Sequence, residues 1–187
     1  FPPASMSARK TSTSAIAPPA PISGTLSAEE QVFVTAAQQH CLARGGKLPP
    51  LRVDVLLHVR KHPGGIKAYE LLSSLQAVKP GLAPMSVYRA LDFLVDTGLV
   101  HKVDVTSSFI LCEHGQHHHD HGLPVMLICQ QCGKASEYAE PTSGTLHAAL
   151  DHLRDRNGFH ATGLEIKGLC QQCSTAEAET DGPDPKA

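Results

Sequence analysis

Apolar residues recur at helical spacing through the first half of the chain and in short strand-like runs through the second. Ser27, with Glu29 and Glu30 in the turn behind it, predicts the start of a helix that reaches about Arg44, where Gly45-Gly46 ends it. Behind Pro49-Pro50, the residues Leu51, Val55, Leu56 and Val59 step along one face of a second helix, which stops at His62-Pro63-Gly64-Gly65. A third runs from Lys67 to about Val78 through Leu71, Leu72 and Leu75, and Pro80-Gly81 breaks it. The fourth begins at Pro84 and carries Val87, Leu91 and Leu94 on one side until Gly98. Leu99 to Val103 and Ser107 to Leu111 then flank a small polar turn, as the strands of a hairpin do. Helices followed by a two-stranded ribbon describe a winged helix-turn-helix, in which the fourth helix enters the major groove and the ribbon flanks the backbone. The alternative is a small helical bundle with an incidental hairpin.

The second half differs in kind. Val125 to Ile128, Ala135 to Tyr138 and about His160 to Lys167 read as strands, with a helix from about Pro141 to Arg156 before the last of them and Gly158 as its stop. Such an α+β unit of roughly fifty residues is thin for an independent core and needs a metal staple or a partner chain. Residues 1–25 are low-complexity, and residues 175–187 form an acidic tail; both are expected to be disordered. The expected division is therefore an arm (1–25), a DNA-binding unit (26–112), a histidine-rich hinge (113–122), a small α+β domain (123–174) and the tail.

Charge sharpens this division. The net formal charge of −2 argues against a polyanion partner taken as a whole. However, residues 26–112 hold nine Lys and Arg against seven Asp and Glu, whereas residues 113–187 hold five against eleven. The basic excess lies where the winged helix is expected, with Arg9 and Lys10 ahead of it. No apolar run is long enough to cross a bilayer and no secretory signal is visible, so a cytoplasmic protein with no membrane partner is expected.

The six cysteines and twelve histidines carry the chemistry. Cys129-Gln-Gln-Cys132 and Cys170-Gln-Gln-Cys173 are two Cys-x-x-Cys pairs, each at a turn beside an expected strand. Two intervening residues let both sulfurs of a pair face one ion at about 2.3 Å, and two pairs complete a closed tetrahedral Zn²⁺ site with a folding role. A redox dithiol would need only one pair. Cys41 reads as a small buried hydrophobe.

Pro84-Met-Ser-Val-Tyr-Arg-Ala-Leu-Asp-Phe-Leu94 with Gly98-Leu-Val-His-Lys-Val103, His117-His-His-Asp-His121, Leu127-Ile-Cys-Gln-Gln-Cys-Gly-Lys134 and Gly168-Leu-Cys-Gln-Gln-Cys173 together resemble the ferric-uptake-regulator (Fur) family over about residues 26–174. The Ala-Leu-Asp-Phe-Leu and Leu-Val-His-Lys-Val segments are most similar to its zinc-uptake branch. The resemblance implies a homodimer that binds a palindromic operator in double-stranded DNA, with residues 123–174 as the dimerisation domain. It places a regulatory Zn²⁺ site at His101, Cys112, His121 and Glu137, with His119 as the alternative to His121, and a weaker second site around His118, Asp120 and His160. It also assigns base contacts to Tyr88 and Arg89 and backbone positioning to Ser86 and Lys102. Gly122 to Met126 lengthens the family's link to Leu127-Ile-Cys129.

The thiolate favours zinc: an iron or manganese sensor more often offers only nitrogen and oxygen. The expected function is repression of zinc-uptake genes by the zinc-loaded protein. The rival readings are an iron or peroxide sensor of the same family and a zinc buffer or metallochaperone. An enzyme is disfavoured, because the His-x-Glu motif of zinc deaminases is missing in the required relation to the Cys pairs.

Overall fold

A computed structural model of the chain describes residues 24–112, 124–138 and 144–180. The order is α1 (Ala28–Ala43), α2 (Pro50–Arg60), β1 (Ile66–Lys67), α3 (Ala68–Val78), α4 (Pro84–Asp96), β2 (Val100–Val103), β3 (Ser108–Leu111), β4 (Val125–Cys129), β5 (Ala135–Tyr138), α5 (Thr145–Asn157), β6 (Leu164–Gly168) and α6 (Gln171–Thr180).

The first helix starts where its sequence says it should. Ser27 Oγ accepts the Glu30 N–H at 3.1 Å and Glu30 Oε2 accepts the Ser27 N–H at 3.0 Å, so two otherwise orphaned donors are satisfied reciprocally. The helices α2 and α4 begin with Pro50 and Pro84 in the first turn, where the missing N–H costs nothing. Their apolar faces, with those of α1 and α3, meet in one core that includes Val34, Cys41, Leu56, Leu71, Leu91 and Leu94, all fully buried. Each such side chain contributes on the order of 1.5–3 kcal/mol by leaving water.

The hairpin is present with register Val100↔Leu111 to Val103↔Ser108, and a third strand, β1, joins it in the order β1-β3-β2. The short β1 carries no sequence signal, because two residues show no period. Its geometry depends on Gly65, whose φ of +99° favours glycine and whose added Cβ would lie 3.0 Å from Ser108 Oγ.

The second sheet has the order β5-β4-β6, with β4 antiparallel to β5 and parallel to β6, and α5 lies in the connection between the two edge strands. Gly158 takes the left-handed cap at φ 61° and donates its N–H to Arg154 O at 2.8 Å. Three boundaries differ from expectation: α5 begins at Thr145, behind the extended Gly144, rather than near Pro141; β6 begins at Leu164 rather than near His160; and the chain beyond Ser174 continues as helix to Thr180. The Cys173 and Ser174 amides bond Cys170 O, so the metal-ligand turn itself starts that helix.

The two expected domains are joined by more than a linker. Val103 and Ile110 of the hairpin form a second buried cluster with Met126, Ile128 and Ala135. The Ala135 N–H donates to Gly64 O at 3.1 Å, and Glu165 Oε1 accepts the Asp104 N–H at 2.7 Å. Along β2 the residues alternate, with His101 and Val103 toward the second sheet and buried Val100 toward the helical core.

Candidate metal centres and nucleic-acid face

Cys129 and Cys132 bracket the β4–β5 turn, while Cys170 and Cys173 bracket the start of α6. The parallel pairing Cys129↔Gly168 carries Cys170 alongside Cys129, and all four sulfurs lie within 4.8 Å of one another. Sulfurs held at about 2.3 Å from one tetrahedral zinc stand about 3.8 Å apart, and Cys132 Sγ to Cys170 Sγ is 3.8 Å. The protonation of the four thiols is uneven. Backbone N–H groups of Cys132 and then Cys170, the latter 3.3 Å from Cys129 Sγ, pull the Cys129 thiol down to about 6. Hydrogen bonding to the Cys170 sulfur, then burial, pushes Cys173 up to about 12. One thiolate is welcome there, but four are not without a cation, so the donor set fits a soft divalent metal.

The second centre straddles the two sheets. His101 on β2, Cys112 just past β3 and Glu137 on β5 bring their ligand atoms within 4.8 Å. His101 Nε2 lies 3.2 Å from Glu137 Oε1, and Cys112 Sγ lies 4.0 Å from the same oxygen. The Glu137 side chain is only 8% exposed, so a carboxylate is held out of water against an imidazole and a thiol. His101 Nε2 is buried without a satisfactory hydrogen bond among the described residues: its contact with Glu137 is close but poorly aimed. The imidazole is thus held by the nearby charge rather than by a directed hydrogen bond, and a metal bond would supply the directed partner. Burial alone would lower the His101 pKa, but Cys112 and Glu137 outweigh it and hold it up to about 9. The set of one nitrogen, one sulfur and one oxygen fits zinc. His119 and His121, expected as the further ligand, fall outside the described residues, as do His118 and Asp120. His160 is exposed between α5 and β6 and joins neither group. Cys41 lies in the helical core, as its reading as a hydrophobe requires.

On α4 the buried face is Val87, Ala90, Leu91 and Leu94. Tyr88 is 40% exposed, Arg89 is exposed and Ser86 is half-buried. Exposed Met85 shares their side of the helix, three and four residues before Tyr88 and Arg89. Sequence reading passed over it because an isolated apolar residue carries no period of its own. Lys102 is exposed on the wing and paired with Asp104 at 2.8 Å. Among the described residues no helix is long and apolar enough to cross a membrane.

The Ferric uptake regulator family matches residues 43–166 of the chain. The zinc uptake regulation protein of Escherichia coli (strain K12) is 37% identical over 152 residues, which span 79% of this chain and 85% of that protein. Among solved structures, a zinc uptake regulator complexed with zinc and DNA aligns with a TM-score of 0.70 at 33% identity, covering 81% of this chain and 99% of the other. Holo XcZur aligns with a TM-score of 0.64 at 35% identity, covering 77% and 98%.

Proposed function

The chain belongs to the ferric uptake regulator family, and from that premise we propose that it is a zinc-responsive transcriptional regulator whose sensor is the His101, Cys112 and Glu137 cluster. Its similarity to a zinc uptake regulation protein and to a regulator complexed with zinc and DNA supports this reading. The observation that carries the site assignment is the convergence of three donors from two different sheets, with His101 Nε2 buried and unsatisfied between them.

The chain's own residues do most of the mechanical work. Tyr88 and Arg89, with Met85 beside them, present the exposed side of α4 to base edges, and Ser86 and Lys102 hold phosphates. Leu127, Ile166 and Leu169 form an exposed apolar surface beside the four-cysteine group, and α5 presents no buried side chain among those described. A second copy of the chain covers these surfaces, which makes the protein a two-fold dimer on a palindromic operator. The spacing of the two α4 helices then depends on how each hairpin sits against its β4–β5–β6 sheet. Zn²⁺ supplies the divalent charge that lets the thiolate, imidazole and carboxylate share one point across that joint, and at the four cysteines it supplies a folding staple. Glu137 brings the sheet's share of the charge, His101 and Cys112 bring the hairpin's, and the closed arrangement is the one that spaces two α4 helices for DNA. The protein acts in the cytoplasm, has no enzymatic activity, and represses zinc-uptake genes when zinc is plentiful.

The test is a fluorescence-anisotropy titration of an A/T-rich palindrome at chelator-buffered free zinc, with Cys112→Ser alongside. The native protein binds as zinc rises, while the variant keeps its four-cysteine zinc and stays unresponsive. Equal binding by both, or binding driven by Fe²⁺ alone, would overturn the assignment.

A further inference from the structure

Met126 at the centre of the second sheet is paired on one side with Glu137 and on the other with Glu165. Paired residues on neighbouring strands point to the same face, so Glu137, Met126 and Glu165 form one row directed at the hairpin. Each member of the row grips something different. Met126 fills the shared cluster, Glu137 meets His101 and Cys112, and Glu165 Oε1 accepts the backbone N–H of Asp104 at 2.7 Å. His101 and Asp104 are three residues apart on β2 and its exit, about 10 Å of extended chain, and the two outer strands of the row stand about 10 Å apart. Strand β2 therefore lies along the row and is held at both ends.

We propose that Glu165 is a positioning residue for zinc-dependent DNA binding, a metal-free second attachment that fixes the hairpin's rotation about the sensor cluster. This rests on the sensor reading above. The Ala135 bond to Gly64 O and the His101–Glu137 contact both hold the hairpin from the β5 side, and the shared apolar cluster is non-directional. Without Glu165 the exit of β2 is therefore free to swing. The second joint at Asp104 removes that freedom and pre-organises the closed arrangement before metal arrives, so less of the zinc affinity is spent on ordering. The Asp104 carboxylate does not oppose it, because Lys102 holds that carboxylate at 2.8 Å. The bond also ties the turn that follows Lys102, a residue assigned to the DNA backbone, directly to β6.

The experiment has two readouts on the full-length zinc-bound dimer. Amide exchange at Asp104 is followed by NMR in a Cys112→Ser background, with and without Glu165→Ala or Glu165→Gln. The free-zinc midpoint for DNA binding is then measured in the same Glu165 variants with Cys112 intact. Loss of the carboxylate is expected to speed Asp104 exchange about tenfold and raise the zinc midpoint about fivefold, whereas Gln, which keeps the accepting oxygen, stays within about twofold of native. If the alanine variant fails to fold, Glu165→Asp withdraws the oxygen by one methylene and is expected to give the same two changes. Unchanged Asp104 exchange, or faster exchange with an unmoved zinc midpoint, overturns the proposal. A native protein whose DNA binding ignores zinc would instead overturn the sensor reading, and the exchange rates would still decide whether Glu165 holds the turn.

Discussion

The helical unit and the β4–β5–β6 unit of this chain are stabilised by different physics. The first packs four helices and three short strands around one continuous core, in which Leu56, Leu71, Leu91 and Leu94 lose all contact with solvent. The second contributes Met126, Ile128 and Ala135 to a cluster that is complete only with Val103 and Ile110 from the hairpin. Its outer side exposes Leu127, Ile166 and Leu169, and its helix α5 buries no described side chain. One half thus stands on apolar burial. The other shares its core with its neighbour's hairpin and, in the function proposed above, depends further on a metal at four cysteines and on a second copy of itself. That dependence suits a switch, because a sheet whose contacts are few and shared can be repositioned by a ligand at its edge.

The strongest way to break this contrast is to remove the staple. Cys132→Ser with Cys170→Ser is expected to unfold the second unit and abolish the dimer while the α1–α4 core survives, since structural zinc is worth on the order of 10–16 kcal/mol in small peptides. Sedimentation and amide NMR would show it, and a variant still dimeric with β4–β6 signals intact would sink the idea. The converse is Leu91→Ala, which empties part of the helical core. It should cost about 2–5 kcal/mol of stability there and leave the zinc content unchanged; thermal denaturation with metal analysis tests both.

Acidification sharpens the contrast at the joint between the units. With its pKa raised to about 9, metal-free His101 keeps a proton at neutral pH that zinc must displace. The sensor midpoint should therefore rise up to about tenfold for each unit of pH lowered below 9, per proton displaced. The DNA-binding midpoint in buffered zinc at pH 7 and pH 8 measures this, and a flat response would argue that His101 is not a ligand. Without metal the sign is opposite. A pKa above the unfolded value means that the His101 contacts stabilise the closed joint fully below about 6.5 and cease to do so as pH passes about 9. The smallest effect is expected at the wing turn, where Ser107 sits at φ 50°. Ser107→Gly should relieve that strain and raise stability by about 1 kcal/mol without altering the zinc response, and a shift in zinc midpoint would tie the turn more closely to the sensor than its position suggests.

Much of the site was legible because its signals are local. The Cys-x-x-Cys spacing announced four thiolates, Ser27 with Glu30 announced a helix start, and Pro84 with the period of Val87, Leu91 and Leu94 left Tyr88 and Arg89 on the outside. His101, Cys112 and Glu137 were named only through family likeness, since nothing local relates residues 101 and 137. Strand β1 was too short to show a period, and the helix beyond Ser174 is polar enough to read as tail. Glu165 passed unnoticed because its partner is a backbone amide 61 residues away.

Sequence by itself determined most of the helix and strand segments, which face of each is apolar, and where the two pairs of thiols lie, because period, capping and ligand spacing are properties of a few neighbouring residues. Only the tertiary structure decided that the hairpin and the second sheet share a core, that Glu137 and Glu165 lie in one row on either side of Met126, and that His101 is buried against Glu137 without a proper hydrogen bond. Those are matters of strand register and of one sheet stacking on another, set by long-range packing that no short window of the chain contains.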